Sequence, residues 1–391
     1  MTQEPSSRSG GPIRILGVTK STGGLATYNR TLLEQLQDRG YSVSVVCLSE
    51  GSGAYARAFA KREIPATSMD MARYTIAPFS DLKLAIRLVR HLRRNPVDLV
   101  IAHGAKAGFL GRLAGRVTGA RVLYVLHSMP FLERVQGRRA IFYRSLERIG
   151  RRMGGHIVAI SHAMRDEIEK HGIAPASAVT VLHTGIDPSA LAIPRDQSSA
   201  RMALGLDPRR PVVGWAGRLN PQKAPLDFIR AAELVTRSVP EAQFFMAGEG
   251  SLASTVRALA NKLGLGDRLI LAGWQEDAAR MLSALDVYVA TSWWEGLPLT
   301  LLEAMCGERA VVATAVDGVV EVIRDGVDGF LVDAGDPPAM AARLELLLRD
   351  DGRRSELGRA ARRRVMEHFT VDRMMDRWVK LICRELAALQ R

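Results

Sequence analysis

Short runs of aliphatic and β-branched residues alternate with amphipathic segments along nearly the whole chain, and the series breaks once and then restarts. Residues 13–18 (IRILGV) are followed by a glycine-containing loop, Thr19 to Gly24, and a helical pattern over 25–39. Residues 41–48, 98–103, 121–127 and 156–161 read as further strands. Strands separated by helix-length segments predict parallel sheets covered on both faces. A polar, proline-containing stretch near Asp187 to Arg210 interrupts the alternation, which resumes with 211–216, 243–247, 268–271, 284–290 and 310–314. Two doubly wound α/β domains follow, Rossmann-like and facing across a cleft, with ligands expected at the carboxyl ends of the strands. The boundaries expected are a disordered N-terminus over 1–11, an N-terminal domain over 12–190 and a linker over 191–210. A C-terminal domain covers 211–370, and a last helix over 371–391 crosses back to the N-terminal domain.

With 391 residues, 47% of them hydrophobic, the chain can form two cores of ordinary size. Its first ten residues have no apolar core like that of a signal peptide, and no apolar run approaches the roughly 18 residues of a spanning helix. The expected location is the cytoplasm. The three cysteines, Cys47, Cys306 and Cys383, stand far apart without a C-x-x-C pair, which gives no support to a disulfide framework or a structural zinc site. A formal charge of +13 favours nucleic acid, anionic membrane or phosphorylated ligands. Much of it lies in Lys83, Arg87, Arg90, Arg93 and Arg94 and in the arginines between 134 and 152. On a helix Lys83, Arg87, Arg90 and Arg94 share one face, and Leu82, Ala85, Ile86, Val89 and Leu92 supply an apolar one. Such a helix is either the solvated face of an ordinary domain or a contact with an anionic membrane surface. A nucleic-acid-binding protein is the alternative from another class, but aromatic residues are 6% of the chain and no stacking pattern accompanies the arginines.

The chemistry is concentrated after residue 211. Glu295 and Glu303 bracket WEGLPLTLLEA, a passage from a Gly/Pro-containing loop into an apolar helix whose first N–H groups are free to meet phosphate. Arg218 and Lys223, after the strand-like 211–216, add two cations suited to a diphosphate. Together these segments point to a nucleotide-sugar site, with a glutamate to accept from ribose hydroxyls. A nicotinamide-dependent enzyme is excluded by the absence of G-x-G-x-x-G: the first loop has Gly23-Gly24, and Gly248-Glu249-Gly250 has Ala253 where a third glycine would stand. Neither a G-x-x-x-x-G-K-[ST] loop nor a metal-binding H-E-x-x-H occurs.

Glu295 and Glu303, with seven residues between them, resemble the E-x(7)-E signature of the retaining GT-B glycosyltransferases of family four. Gly217-Arg218-Leu219 with Lys223 is similar to that family's G-R-L-x-x-x-K segment. Gly23-Gly24 and Gly248-Glu249-Gly250-Ser251-Leu252 resemble its glycine loops. Residues 106–112 and 127–131 look like members that assemble bacterial exopolysaccharide or lipopolysaccharide. The resemblance runs from Ile13 to about Ile382 and implies roles residue by residue. Arg218 and Lys223 would hold the donor diphosphate, the N–H groups of Leu299 and Thr300 would cap it, and Glu303 would bind ribose. Glu295 would contact the donor sugar, His127 would stand by the same sugar, and Gly24 would let the first helix approach the phosphates. Transfer would keep the anomeric configuration without a catalytic metal or cofactor, the nucleotide-diphosphate-sugar being a substrate. Two departures stand out: Ala224-Pro225 follows Lys223 where the family often has glycine, and Pro298 has no N–H to offer.

The expected protein is thus a glycosyltransferase with a saccharide or lipid-linked acceptor and no nucleic-acid partner, peripheral on the cytoplasmic face of the inner membrane. A soluble small-molecule acceptor is the alternative within the class. His103 and His183 also end strand-like runs and are candidates for the acceptor side. Trp293 and Trp294 are candidates for stacking or for the core, and Asp317 and Glu321 for a donor loop or a helix cap.

Overall fold

The structure, a computed structural model, describes residues 11–20, 23–49, 54–71, 78–127, 138–189, 191 and 196–387. Outside them lie nearly all of the expected disordered N-terminus, Ser21 and Thr22 of the first loop, Ser128 to Phe131, Arg134, most of 190–195 and the last four residues. The chain forms two compact units, Met1–His183 with Met374–Arg391, and Thr184–Arg373.

In the first unit β1 (Arg14–Lys20), α1 (Gly23–Asp38), β2 (Ser42–Ser49), α2 (Ala54–Ala60), β3 (Ala66–Asp70), α3 (Pro78–Arg94), β4 (Leu99–His103) and α4 (Ala105–Thr118) come first. Then follow β5 (Arg121–Leu126), α5 (Arg138–Arg152), β6 (His156–Ala159), α6 (His162–Lys170) and β7 (Val179–Val181). The strands are parallel in the order β3-β2-β1-β4-β5-β6-β7, so the order reverses between β1 and β4. Ile15, Leu16, Val100, Ile101, Leu123 and Val125 are wholly buried, as helices on both faces require. The expected strands are all present. The three that the sequence did not reveal, β3, β7 and β13 below, lie at sheet edges, and two of them have only three residues.

A charged group is locked into this core. Arg112 of α4 lies 4.3 Å from the ring centre of Tyr124, donates from Nη2 to Glu147 of α5 at 2.8 Å, and donates from Nε to the Gly108 carbonyl at 3.2 Å. The Tyr124 hydroxyl donates to the other Glu147 oxygen at 2.8 Å. Helix α15 (Val371–Ala387), which from Met374 onward belongs to this unit, is tied to it by Trp378 Nε1 donating to the Tyr28 hydroxyl at 3.0 Å and by Arg121 with Glu385 at 3.1 Å.

The expected split of α3 is corrected. Leu84, Ala85, Leu88 and Leu92 form its buried face, but Leu82 and Ile86 are 58% and 41% exposed, and Phe79 is 84% exposed. The reason is geometric: at 100° per residue positions 79, 82 and 86 fall opposite 84, 88 and 92, beside Lys83, Arg87 and Arg90.

The second unit begins with α7 (Gln197–Ala203), inside the stretch expected as a linker. Arg201 fixes it, donating to Asp286 at 2.6 Å and to the Ala284 carbonyl at 2.9 Å. Then come β8 (Val212–Ala216), α8 (Pro225–Ser238), β9 (Gln243–Ala247), α9 (Ala253–Lys262), β10 (Leu269–Gly273), α10 (Ala278–Ala284) and β11 (Val287–Ala290). The unit ends with α11 (Leu299–Cys306), β12 (Ala310–Thr314), α12 (Val319–Val322), β13 (Phe330–Val332), α13 (Pro337–Arg349) and α14 (Asp351–His368). The parallel order β10-β9-β8-β11-β12-β13 reverses between β8 and β11. No described helix is long and apolar enough to cross a membrane.

Removing the Glu147 carboxylate strands a buried guanidinium. Glu147→Ala is expected to lower unfolding free energy by about 3–5 kcal/mol in urea titrations at neutral pH, and a loss under about 1 kcal/mol would contradict the buried pairing.

Candidate nucleotide-sugar site

The carboxyl ends of β8, β11 and β12 carry the second unit's reactive groups. After β8 the chain turns through Gly217 and Arg218, and Asn220 Oδ1 accepts from the Lys223 N–H at 3.1 Å to close a single turn over 221–223. That turn aims Lys223 Nζ at Glu295, with which it forms an ion pair. Ser292 donates its hydroxyl to the same Glu295 oxygen at 2.6 Å, and the Glu295 N–H donates to Asp317 Oδ2 at 3.0 Å. Glu295 is only 9% exposed, so its charge stands in a place where an unpaired carboxylate would be costly.

The backbone is fitted to these contacts. Asp317 has φ 33°, in the left-handed region that a non-glycine residue occupies at a cost of about 1–3 kcal/mol. Its neighbour Gly318 approaches so closely that a Cβ there would stand 1.8 Å from the Gly296 carbonyl oxygen. Thr314, closing β12, donates to the Ser292 carbonyl at 2.6 Å, and Thr291 donates to the carbonyls of Lys223 and Ala224 at 2.8 and 3.0 Å. Ala224 itself has φ 43°. That explains why glycine would be at home there, and Pro225 after it narrows the choice further. Gly248, φ 135°, lies against the Gly217 carbonyl oxygen, which a Cβ would meet at 1.8 Å.

Arg218 is exposed, and its Nη2 donates to Gln222 Oε1 at 3.3 Å rather than joining the Lys223–Glu295 pair. Leu299 and Thr300 open α11 immediately after Pro298, where the first N–H groups of a helix have no intrahelical acceptor. Tyr288 of β11, fully buried, donates to the Ala216 carbonyl at 3.2 Å and is hydrogen-bonded with Thr300, which ties the start of α11 to the end of β8. One turn into α11, burial pushes the Glu303 carboxyl up from 4.5 to about 7. Arg218, Lys223, Glu295, Leu299, Thr300 and Glu303 therefore belong to one strand-end cluster, and Asp317 joins it. Glu321 lies in α12 and offers its carbonyl to Arg364 at 3.1 Å. Trp293 is 39% exposed and lies over Gly335, where a Cβ would stand 2.6 Å from its ring.

Gly24 and His127 belong to the first unit. Gly24 is the second residue of α1, and His127 directly follows β5. His103, at the end of the neighbouring β4, places Nδ1 3.1 Å from His127 Nε2. Burial pushes His127 down to about 3 and His103 well below its ordinary value, so both rings are neutral at pH 7. His183 follows β7 and packs edge-on against His162 at 5.4 Å between centroids. Sequence reading missed Ser292, Gln222, Thr291 and Thr314. For the three hydroxyl residues the available signal was their position, since hydroxyls at or directly after the ends of buried parallel strands are placed to bridge neighbouring loops.

Glu303 gives this cluster a pH signature. Its carboxyl titrates near 4.5 when unfolded and near about 7 when folded. Between those values the folded chain binds more protons, so stability falls as pH rises through the window and stays lowered above it. Glu303→Gln is expected to raise unfolding free energy by about 1–3 kcal/mol at pH 8.5 and to change it little at pH 5. Equal effects at both pH values would remove the burial as its cause.

The residues 196–364 match the sequence model for Glycosyl transferases group 1, and residues 22–190 match Glycosyltransferase Family 4. Over 312 residues the chain is 30% identical to a putative glycosyltransferase, EpsD, of Bacillus subtilis, with 77% of this chain and 81% of that one aligned. A UDP-Gal:alpha-D-GlcNAc-diphosphoundecaprenol alpha-1,3-galactosyltransferase of Escherichia coli is 26% identical over 307 residues, 77% of this chain and 79% of its own. The crystal structure of Anabaena HepE with UDP and glucose superposes with a TM-score of 0.82 at 21% identity, covering 95% of this chain and 99% of that one. With both sheets parallel and their order reversed at the strand pairs that carry the site, the fold is GT-B, and the chain belongs to the family 4 glycosyltransferases.

Proposed function

We propose that this glycosyltransferase moves a sugar from a nucleoside diphosphate sugar to a lipid-linked saccharide or another cell-surface polysaccharide precursor, with retention and without a catalytic metal. The observation that carries the reading is the Lys223–Glu295 pair, seated at neighbouring strand ends with Arg218 on one side in sequence and the start of α11 on the other. Arg218, Lys223 and the N–H groups of Leu299 and Thr300 supply positive charge and donors for a diphosphate. Glu303 accepts from ribose, Glu295 from the sugar hydroxyls, and Gly24 and His127 are the first unit's contributions. In the transfer the bond from the anomeric carbon to the phosphate oxygen breaks and the acceptor oxygen bonds on the same face. The acceptor's proton goes to the departing phosphate. The chain's part is to stabilise the charge gathering on that phosphate.

UDP is the first nucleotide to test, since HepE was crystallised with UDP and the Escherichia coli relative is named for UDP-Gal. UDP at about 100 times its dissociation constant should stabilise the protein by about 2.7 kcal/mol in thermal shift, and Arg218→Ala should remove most of that. Lys223→Ala leaves Glu295 without its cation, so it is compared with Lys223→Ala/Glu295→Gln, which removes both charges. Turnover should fall by orders of magnitude in each, persist in EDTA for the wild type, and give a product of unchanged anomeric configuration. Protection by no nucleoside diphosphate would sink the site assignment, and an inverted product would sink retention.

For the acceptor side we propose peripheral attachment to the cytoplasmic face of the inner membrane through α3. Phe79, Leu82 and Ile86 are exposed in one stripe beside the exposed Lys83, Arg87 and Arg90. Apolar residues at interfacial depth with cations at headgroup level match an anionic lipid surface, at about 1 kcal/mol per cation. Co-sedimentation with phosphatidylglycerol-containing vesicles should exceed that with pure phosphatidylcholine, and Leu82→Asn/Ile86→Asn should abolish the excess. Equal binding to both vesicle types, or none, would favour a soluble acceptor.

A further inference from the structure

His103 ends β4 and His127 directly follows the neighbouring β5, His103 being paired in register with Val125. The His103 ring is completely buried, and its Nε2 meets no hydrogen-bond partner among the described residues. Its Nδ1 lies 3.1 Å from His127 Nε2. Tyr28 of α1 packs edge-on against both rings, at 5.9 Å from His103 and 4.8 Å from His127 between centroids, and Trp378 holds the Tyr28 hydroxyl in turn.

Between the two facing nitrogens there is room for one proton. If His127 Nε2 carried it, His103 would have to carry its own on Nε2, a buried N–H without an acceptor. With the proton on His103 Nδ1, only a lone pair is left unmatched at Nε2. Buried carbonyl and ring acceptors tolerate that better than buried N–H groups do. We infer that His103 is a positioning residue: it donates Nδ1–H to His127 Nε2 and so fixes His127 in the tautomer protonated on Nδ1. This rests on the reading that His127 serves the donor sugar, and it specifies the service. His127 offers its ligand an N–H and has no lone pair left with which to take a proton. The depressed proton affinity of both rings agrees, because neither becomes a cation at working pH.

The test is nitrogen-15 NMR of the histidine rings in the full chain, without ligand, at pH 7.5, where protonated and bare ring nitrogens resonate far apart. Wild type should show His127 protonated on Nδ1 alone. His103→Asn, whose amide N–H takes the place of Nδ1–H, should keep that pattern and most of kcat. His103→Leu should mix the tautomers and lower kcat by about tenfold, roughly one hydrogen bond, with KM for the donor changed much less. A wild-type His127 protonated on Nε2, or a pattern unchanged in His103→Leu, would overturn the inference. Undiminished kcat in His127→Ala, with the wild-type pattern as expected, would instead remove the role of His127 at the sugar and leave the pairing itself intact.

Discussion

A carboxylate nine-tenths buried has to be neutralised where it stands; at Glu295 that requirement joins two loops, and the residue's own N–H joins a third. Lys223 comes from the turn after β8, Ser292 from the end of β11, and Asp317, which takes the Glu295 N–H, from the end of β12. Each partner is held in turn: Lys223 by Asn220 and by Thr291 at its carbonyl, Ser292 by Thr314 at its carbonyl. Loss of any one leaves a polar group buried without its match, so the three strand ends are energetically one object. The positive φ values of Ala224 and Asp317 fall within this network, where surrounding contacts are dense enough to hold them.

The same pair has a second consequence. The Lys223 ammonium is paired with Glu295, whereas Arg218 is exposed and, among the described residues, donates to a neutral glutamine oxygen. On the proposed function, Arg218 would turn to an arriving phosphate at little cost, and Lys223 would divide itself between carboxylate and phosphate. Lys223 would then gain most when negative charge on the phosphate grows, which is when a leaving diphosphate forms.

Much of this was legible in the sequence because buried parallel strands write themselves as continuous apolar runs. Residues 243–247 and 310–314 were read as strands with the boundaries that β9 and β12 have. Edge strands such as β3 bury one residue in five and lose that signature. The candidate site residues come from spacing and residue type, Glu295 and Glu303 above all, and from the family resemblance for Gly24, His127, Leu299 and Thr300. What spacing does not encode is which of them touch. The sequence separates Lys223 from Glu295 by 72 positions, and only the adjacency of β8 and β11 turns a presumed phosphate ligand and a presumed sugar ligand into a pair. For α3 the sequence carries the amphipathic composition but not the phase of the helix against its sheet, and phase decides whether Leu82 and Ile86 meet core or solvent.

The two units bring opposite electrostatics to the proposed reaction. The second supplies fixed charge at strand ends, and the first supplies two neutral imidazoles packed edge-on against Tyr28. Departure of the phosphate leaves positive charge on the anomeric carbon, as in other glycosyl transfers with an oxocarbenium-like transition state. A full positive charge about 4 Å from it, at an effective dielectric constant of about 20, would oppose it by about 4 kcal/mol, roughly a thousandfold in rate. A neutral N–H donor holds a sugar hydroxyl without that repulsion. On the proposed reading the neutral state of these rings has a use beyond filling the core: His127 would hold a sugar hydroxyl without placing another cation beside the carbon that the phosphate leaves.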